Sequence, residues 1–236
     1  MESYTLGIIP ARGGSKSIKL KNIVQFLGRP LLEHVIEAAK LSMELDLVIC
    51  STDNEEIAKV AQKNGIEVIW RPTELAQDNT PVLEVIKDII SKAKGTPDLL
   101  PLLQPTSPFV LPSHIDECIK RLKSDFSADS AQTISKLPHN YHAYNQRTVK
   151  EGYVKFRFPK ERLKYYNKQT KPTHYVFGNL VVTRARTVMK KNDIFGTRSI
   201  AVEIEEPYSF DLDKKEDIAL GEFLISSGKV KLPWIN

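Results

Sequence analysis

Four short apolar runs decide which folds are open to this chain: residues 6–9, 47–50, 66–70 and 99–103. Each is too short for a typical helix and too continuous for a strand with one wet face, so each reads as a strand buried on both sides. Between them the apolar period lengthens to that of a helix. Leu31, Leu32, Val35, Ile36, Ala39 and Met43 predict an amphipathic helix from Pro30 to about Met43, and Val82 to Ala93 repeats the pattern. Asp53, with Glu56 three residues later, predicts the cap of a third helix, which carries Ile57, Val60 and Ala61 and ends at Gly65. Strands alternating with helices of this length build βαβ units, hence an α/β domain with a mostly parallel sheet covered on both faces. Ligands of such sheets bind beyond the carboxyl ends of the strands. The segments that follow those ends, residues 10–22, 51–53, 71–78 and 104–108, are therefore predicted to gather on one edge.

The first of these loops carries the most chemistry. It reads Pro10-Ala-Arg-Gly-Gly-Ser-Lys-Ser-Ile-Lys-Leu-Lys-Asn22. Gly13 and Gly14 let backbone N–H groups come close to a ligand, and successive N–H groups in such a turn form a nest for anions. Arg12, Lys16, Lys19 and Lys21 deepen that field. The implied chemistry is a polyphosphate held by backbone and cations; the alternative is a solvated basic surface loop. The loop fits neither G-x-x-x-x-G-K-[ST] nor G-x-G-x-x-G.

With 236 residues the chain can bury one full core, read here as one domain over residues 1–236. A formal charge of +5 suits an anionic ligand without choosing its kind. Cys50 and Cys118, the only cysteines, lack metal or redox spacing and read as buried thiols of a reducing, cytoplasmic compartment. No apolar run approaches a membrane span, so no membrane partner is expected.

Past Leu137 the strand–helix rhythm breaks. Residues 138–176 are rich in His, Tyr, Lys and Arg, and only residues 153–158 alternate weakly, like a hairpin strand. This segment reads as an excursion whose aromatic residues need a surface to cover. The basic stretch 155–171 matches no nucleic-acid motif and reads as an arm over an anionic substrate or a neighbouring subunit, with no nucleic-acid partner expected. Order returns with strands at 179–182 and 200–204, a short helix at 185–190 and a last helix from about Lys215 to Ser226.

Two further features point to a ligand. In Asp211-Leu-Asp213 the carboxylates stand two residues apart on an extended segment, on one side, as a hard cation such as Mg²⁺ requires. The competing reading makes Asp213 the cap of the last helix, with Glu216 completing it. Arg71 and Gln104 each open the loop after a strand, where a planar side chain reaches a base, a ribose or a phosphate; Arg71 alone reads equally as a surface arginine. His114, His139, His142 and His174 have no metal spacing or nucleophilic partner and are assigned no catalysis.

Together these residues resemble the CMP-sugar synthetases, specifically the acylneuraminate cytidylyltransferases that activate nonulosonic acids such as sialic acid. The likeness rests on Ala11-Arg-Gly-Gly-Ser-Lys-Ser-Ile-Lys-Leu-Lys-Asn22, Ser51-Thr-Asp53, Arg71-Pro-x-Glu-Leu-Ala-x-Asp78, Leu103-Gln-Pro-Thr-Ser-Pro108 and Asp211-x-Asp213, in that order. Ser17 stands where the family usually has glycine. The resemblance implies a Rossmann-like, three-layer nucleotidyltransferase domain whose excursion packs on a second subunit, making a homodimer, and helps close that subunit's sugar site. It implies that Arg12, Ser15 and Lys21, with the Gly13 backbone, hold the phosphates of CTP, and that Asn22, Arg71 and Gln104 contact the nucleotide. Asp211 and Asp213 would hold Mg²⁺, and Arg12, Lys21 and Asp213 would act in catalysis. Gln104, Lys168 and Asn179 fall to the sugar acid. Here the chain departs from the family, with Lys168-Gln169 in place of Arg-Gln and Gly178-Asn179 in reversed order. The implied reaction transfers CMP from CTP to the anomeric hydroxyl of a 2-keto sugar acid and releases diphosphate. The rivals are a sugar-1-phosphate nucleotidylyltransferase on the same fold and a non-catalytic nucleotide-binding dimer.

Overall fold

The computed structural model describes residues 4–235. The chain opens with β1 (Tyr4–Pro10), whose Leu6, Ile8 and Ile9 are wholly buried. After the first loop a small hairpin, β2 (Gln25–Phe26) and β3 (Arg29–Pro30), turns at Leu27 and Gly28, both at positive φ. There follow α1 (Leu31–Lys40), β4 (Leu47–Thr52), α2 (Glu55–Lys63), β5 (Glu67–Trp70), α3 (Val82–Lys92) and β6 (Pro97–Leu102). Then come α4 (Pro112–Ser124), β7 (Ser130–Lys136), β8 (Arg147–Lys150), β9 (Tyr153–Phe156), α5 (Pro159–Lys164), β10 (Tyr175–Arg184), β11 (Ser199–Glu203) and α6 (Lys215–Ser226).

The main sheet has seven strands in the order β11-β7-β10-β6-β1-β4-β5. All run parallel except β10, which lies antiparallel between β6 and β7. From β1 the chain winds outward through β4 to β5, then returns to place β6 on the other side of β1. That reversal opens a crevice at the carboxyl ends of the strands, where open α/β sheets bind ligands. Backbone bonds beyond the strand ends fix where each loop departs: Ala11 N donates to Ser51 O at 2.9 Å, Arg71 N to Thr52 O at 2.8 Å, and Leu103 N to Ile8 O at 2.8 Å. The expected gathering of these loops on one edge is what the structure has.

Alternation within the buried strands divides the core into two layers. Ile9, Cys50, Leu99 and Leu103 pack with α1, α2 and α4 on one face, while Leu6, Ile8, Ile49, Leu100 and Leu102 pack with α3 on the other. A third cluster holds the C-terminal segment against the β2–β3 hairpin, with Phe26, Phe109 and Phe210 stacked or tilted at centroid separations of 4.9–6.4 Å. Gly221 of α6 lies directly on the Phe26 ring; a Cβ there would sit 2.6 Å from Cζ, so any side chain would push the helix away.

Several expected elements changed. Residue 53 does not cap α2: Asn54 does, its Oδ1 accepting the N–H of Glu56 and of Ile57. The short helix expected at 185–190 is present over residues 185–191, and widens into a π-helical turn at Thr187–Lys191. Neither α4 nor β7 is delimited by the sequence reading; the Ser-Ala-Gln-Thr-Ile-Ser-Lys composition of β7 lacks the aliphatic density of the other strands. The excursion forms its own two-stranded sheet, β8–β9, with Glu151 and Gly152 at positive φ in the tight turn between them. Every residue of both strands is exposed.

Candidate active site

Each loop at the carboxyl edge is pinned by its neighbours. Gly13 donates its N–H to Asp53 Oδ1 at 2.8 Å, which explains why Asp53 leaves the helix cap to Asn54. A Cβ on Gly13 would lie 2.8 Å from Asn54 Cβ, so only glycine brings the two loops this close. Its N–H is therefore committed to the protein. Gly14 has open space around it and lines the cleft beside Ser15. The buried Asn22 side chain donates to Arg12 O at 2.8 Å, closing the loop on itself. Leu20 takes a left-handed conformation (φ 50°) that turns the chain into the short helical turn Lys21–Ile23. Such a conformation costs a β-carbon-bearing residue about 1–3 kcal/mol and persists because its surroundings enforce it.

The cations are held as firmly. Arg71 is buried, with Nε donating to Ser51 Oγ at 3.2 Å and Nη2 to Ser51 O at 2.9 Å. Desolvation pulls its pKa down, and the Asp53 carboxylate opposes that. Arg12 Nη1 reaches Asp78 Oδ1 at 2.8 Å and Ala76 O at 3.3 Å, and Lys16 Nζ reaches Asp78 Oδ2 at 2.7 Å. Hydrogen bonds from Lys16 and Arg12 hold the Asp78 carboxyl below its ordinary range. Lys21 Nζ, little exposed, meets Asp213 Oδ1 at 2.9 Å.

Asp211 and Asp213 are presented by the residue between them. Leu212 is fully buried and its N–H donates to Thr106 O at 2.7 Å, locking the segment to the loop after β6. Neither Asp213 nor Glu216 caps α6. The Asp217 carboxylate accepts the N–H groups of Asp213 and Lys214 at 2.8 and 2.7 Å, so the Asp213 side chain is spared that work. Asp211 is exposed, and partial desolvation still pushes its carboxyl up; the Thr106 and Ser107 hydroxyls and Lys21 pull back, while Asp213 adds to the rise. Among the described residues no cluster of three or more His, Cys, Asp or Glu side chains is arranged to hold a metal. The two carboxylates suit an ion completed by ligand oxygens and water, and an ammonium cation already lies on Asp213.

The loops after β1, β5 and β6, with α3, enclose a cleft of about 340 Å³; Asp211 and Asp213 do not line it, and Asp213 meets it through Lys21. Arg12, Ser15, Lys21, Asn22, Arg71 and Gln104, all expected site residues, line it. Among the described residues the Gln104 amide has no hydrogen-bond partner, which leaves it for a ligand. Leu75, Val82 and Val85 supply an apolar wall that the sequence reading did not foresee. The structure does not bring Lys168 and Asn179 here. Lys168 is exposed on a short turn of the excursion, Lys168–Thr170. Asn179 is buried and satisfied: its amide donates to Tyr208 O at 2.8 Å and lies 3.2 Å from His114 Nδ1, while Oδ1 accepts from Thr133 at 3.1 Å. That network holds the side chain in the sheet beneath the edge.

A cleft with three cations, an open glycine N–H, a free amide and an apolar wall has the chemistry to take a polyanion attached to a flat ring. Cys50, Cys118, His34 and His114 lie outside its lining; burial pushes the two thiols up to about 12 and drives the two imidazoles down to about 4. The α/β sheet thus carries a basic glycine loop at its reversal point, with Asp213 beside it on Lys21. Residues 6–229 match the cytidylyltransferase family, and the chain belongs to it. It is 31% identical to the CMP-N,N'-diacetyllegionaminic acid synthase of Legionella pneumophila, over 93% of this chain and 95% of that protein. It is 29% identical to the N-acylneuraminate cytidylyltransferase of Escherichia coli, over 93% of this chain but 52% of that protein. The chain thus spans about half the length of several curated relatives it matches. A solved CMP:2-keto-3-deoxy-manno-octonic acid synthetase complexed with CTP shares the fold, with a TM-score of 0.74 at 15% identity, covering 96% of this chain and 100% of that one. Among the described residues no helix is long and apolar enough to cross a membrane.

Proposed function

We propose that this chain transfers CMP from CTP to the anomeric hydroxyl of a 2-keto sugar acid of the nonulosonic class. The observation that carries the reading is the convergence of Arg12, Ser15, Lys21, Arg71 and Gln104 on one cleft at the reversal point of the sheet. The names of its relatives from Legionella and Escherichia coli point to the same acceptor class. The sugar hydroxyl attacks the α-phosphorus, the bond from that phosphorus to the bridging oxygen breaks, diphosphate leaves, and the hydroxyl proton passes to solvent. Arg12 and Lys21 neutralise the phosphate oxygens, Ser15 and the Gly14 N–H orient them, and Arg71 and Gln104 fix the nucleoside. Little covalent work falls to the protein; position and charge do most of it. Asp211 and Asp213 would hold Mg²⁺, which when bound offsets charge on the departing phosphates.

The exposed hairpin supports a homodimer. Two strands alone are marginal in water, and Val149, Tyr153 and Val154 are each more than 60% exposed on β8–β9. In that dimer Lys168 would serve the partner's sugar acid as a point charge for its carboxylate.

Base choice tests the nucleotide half of the proposal. Diphosphate release should be at least tenfold faster with CTP than with UTP under identical conditions; equal rates would sink the cytidine assignment.

A further inference from the structure

A carboxylate stands where a phosphate site would be expected to exclude one. Asp78 is the only acidic side chain among the described residues lining the cleft, and it grips two cations of the phosphate loop with separate oxygens: Oδ1 on Arg12 at 2.8 Å and Oδ2 on Lys16 at 2.7 Å. Two oxygens of one anion held by a guanidinium and an ammonium is also the way these side chains take a phosphate group. The grip joins the loop after β5 to the loop after β1, and the Arg12 contact to Ala76 O reinforces the join. All three charged groups keep substantial solvent exposure, at 31%, 84% and 46% for Arg12, Lys16 and Asp78. Ion pairs so exposed are weak, so a polyphosphate bringing several charges at once can take both cations away.

Resting on the reading of the cleft as a nucleoside triphosphate site, we propose that Asp78 is a displaceable counter-anion. It neutralises Arg12 and Lys16 before the triphosphate binds, yields them to the phosphates, and takes them back as diphosphate leaves. Three consequences follow. Arg12 and Lys16 are held near the cleft mouth without substrate, which lowers the ordering cost of binding. Free phosphate and diphosphate compete with an internal carboxylate, so the cleft resists being blocked by its own product. Affinity is given up in exchange for turnover, and the loss falls on the phosphate chain, because Asp78 touches only phosphate-loop cations.

Titration calorimetry in Mg²⁺-free buffer, with wild type, Asp78→Asn and Asp78→Glu against CTP, inorganic diphosphate and cytidine, tests this. Asp78→Asn should bind CTP and diphosphate about two- to tenfold more tightly, the range expected from releasing two exposed ion pairs. Cytidine affinity should stay unchanged, and Asp78→Glu should restore wild-type values. In steady state, diphosphate should inhibit Asp78→Asn at a correspondingly lower concentration. Weaker or unaltered CTP binding by a folded Asp78→Asn would overturn the inference and make Asp78 a residue that positions Arg12. An equal shift for cytidine would overturn it too, by showing that the loop had merely changed shape. Wild type that binds neither CTP nor diphosphate would instead remove the functional reading on which the inference stands.

Discussion

At the scale of single residues, several parts of the cleft are oriented by neutral neighbours. Asn22 holds the Arg12 carbonyl, Ser51 holds Arg71, and buried Leu212 aims Asp211 and Asp213. Asp213 is relieved of capping by Asp217, and its side chain is two-thirds exposed. Asp213→Ala should therefore change stability by no more than about 0.5 kcal/mol. Turnover should fall on the order of a hundredfold or more, the usual cost of removing one preorganised charge-stabilising group. A folded variant with near-normal rates at limiting Mg²⁺ would refute the role. His34 makes a second residue-scale prediction. Fully buried, it donates from Nε2 to Phe26 O at 2.9 Å and accepts from Trp234 at Nδ1, so the fold admits only the neutral ring. Burial lowers its pKa to about 4, the Phe26 hydrogen bond opposes that, and Arg29 adds to the fall. The unfolded chain binds this proton near pH 6.5, so the contribution to stability is complete above that pH and is lost as pH drops through 4. The loss amounts to about 3 kcal/mol. Urea unfolding between pH 7 and 4 should show a slope reduced by nearly one proton in His34→Gln; an unaltered slope would contradict the assignment.

Among elements, legibility in the sequence followed burial. The strands buried on both faces announce themselves as continuous apolar runs, and their carboxyl ends give the loop cluster and six of the cleft-lining residues. What stayed hidden has physical reasons. Strand β7 carries Ser130, Thr133 and Ser135 inward, polar side chains that break the apolar signal, and the burial of Thr133 becomes intelligible only through its bonds to Asn179 and Leu180. Asp53 and Asn54 are both good caps in isolation. Which of them caps α2 depends on Gly13, 40 residues away, claiming the other. The partners of Asn179 were hidden for a similar reason: an irregular register near Phe177 on β10 turns its amide to the Tyr208 carbonyl. The clasp of Asp78 on Arg12 and Lys16 was in the motif as letters, and its geometry needed the loop after β5 to fold back over the loop after β1.

The whole molecule divides into a sheet body and a basic arm with its own two-stranded sheet. Tyr144, Tyr165, His142 and His174 stack within the arm, which gives it a small core of its own. Val149 and Val154, paired across the hairpin on one of its faces, have no such cover. Replacing Val154 with Asp should shift the protein from dimer to monomer in analytical ultracentrifugation at micromolar concentration while leaving its CTP affinity intact; an unchanged sedimentation coefficient would remove the hairpin from the interface.

The central claim is that this cleft joins the α-phosphate of CTP to a sugar acid. Phosphorus NMR of the protein mixed with CTP, Mg²⁺ and a panel of 2-keto sugar acids and sugar 1-phosphates tests it most directly. The account predicts that the triphosphate signals give way to free diphosphate and one phosphodiester signal, with a sugar acid and not with any sugar 1-phosphate. A product carrying two linked phosphorus atoms, formed from a sugar 1-phosphate, would contradict it.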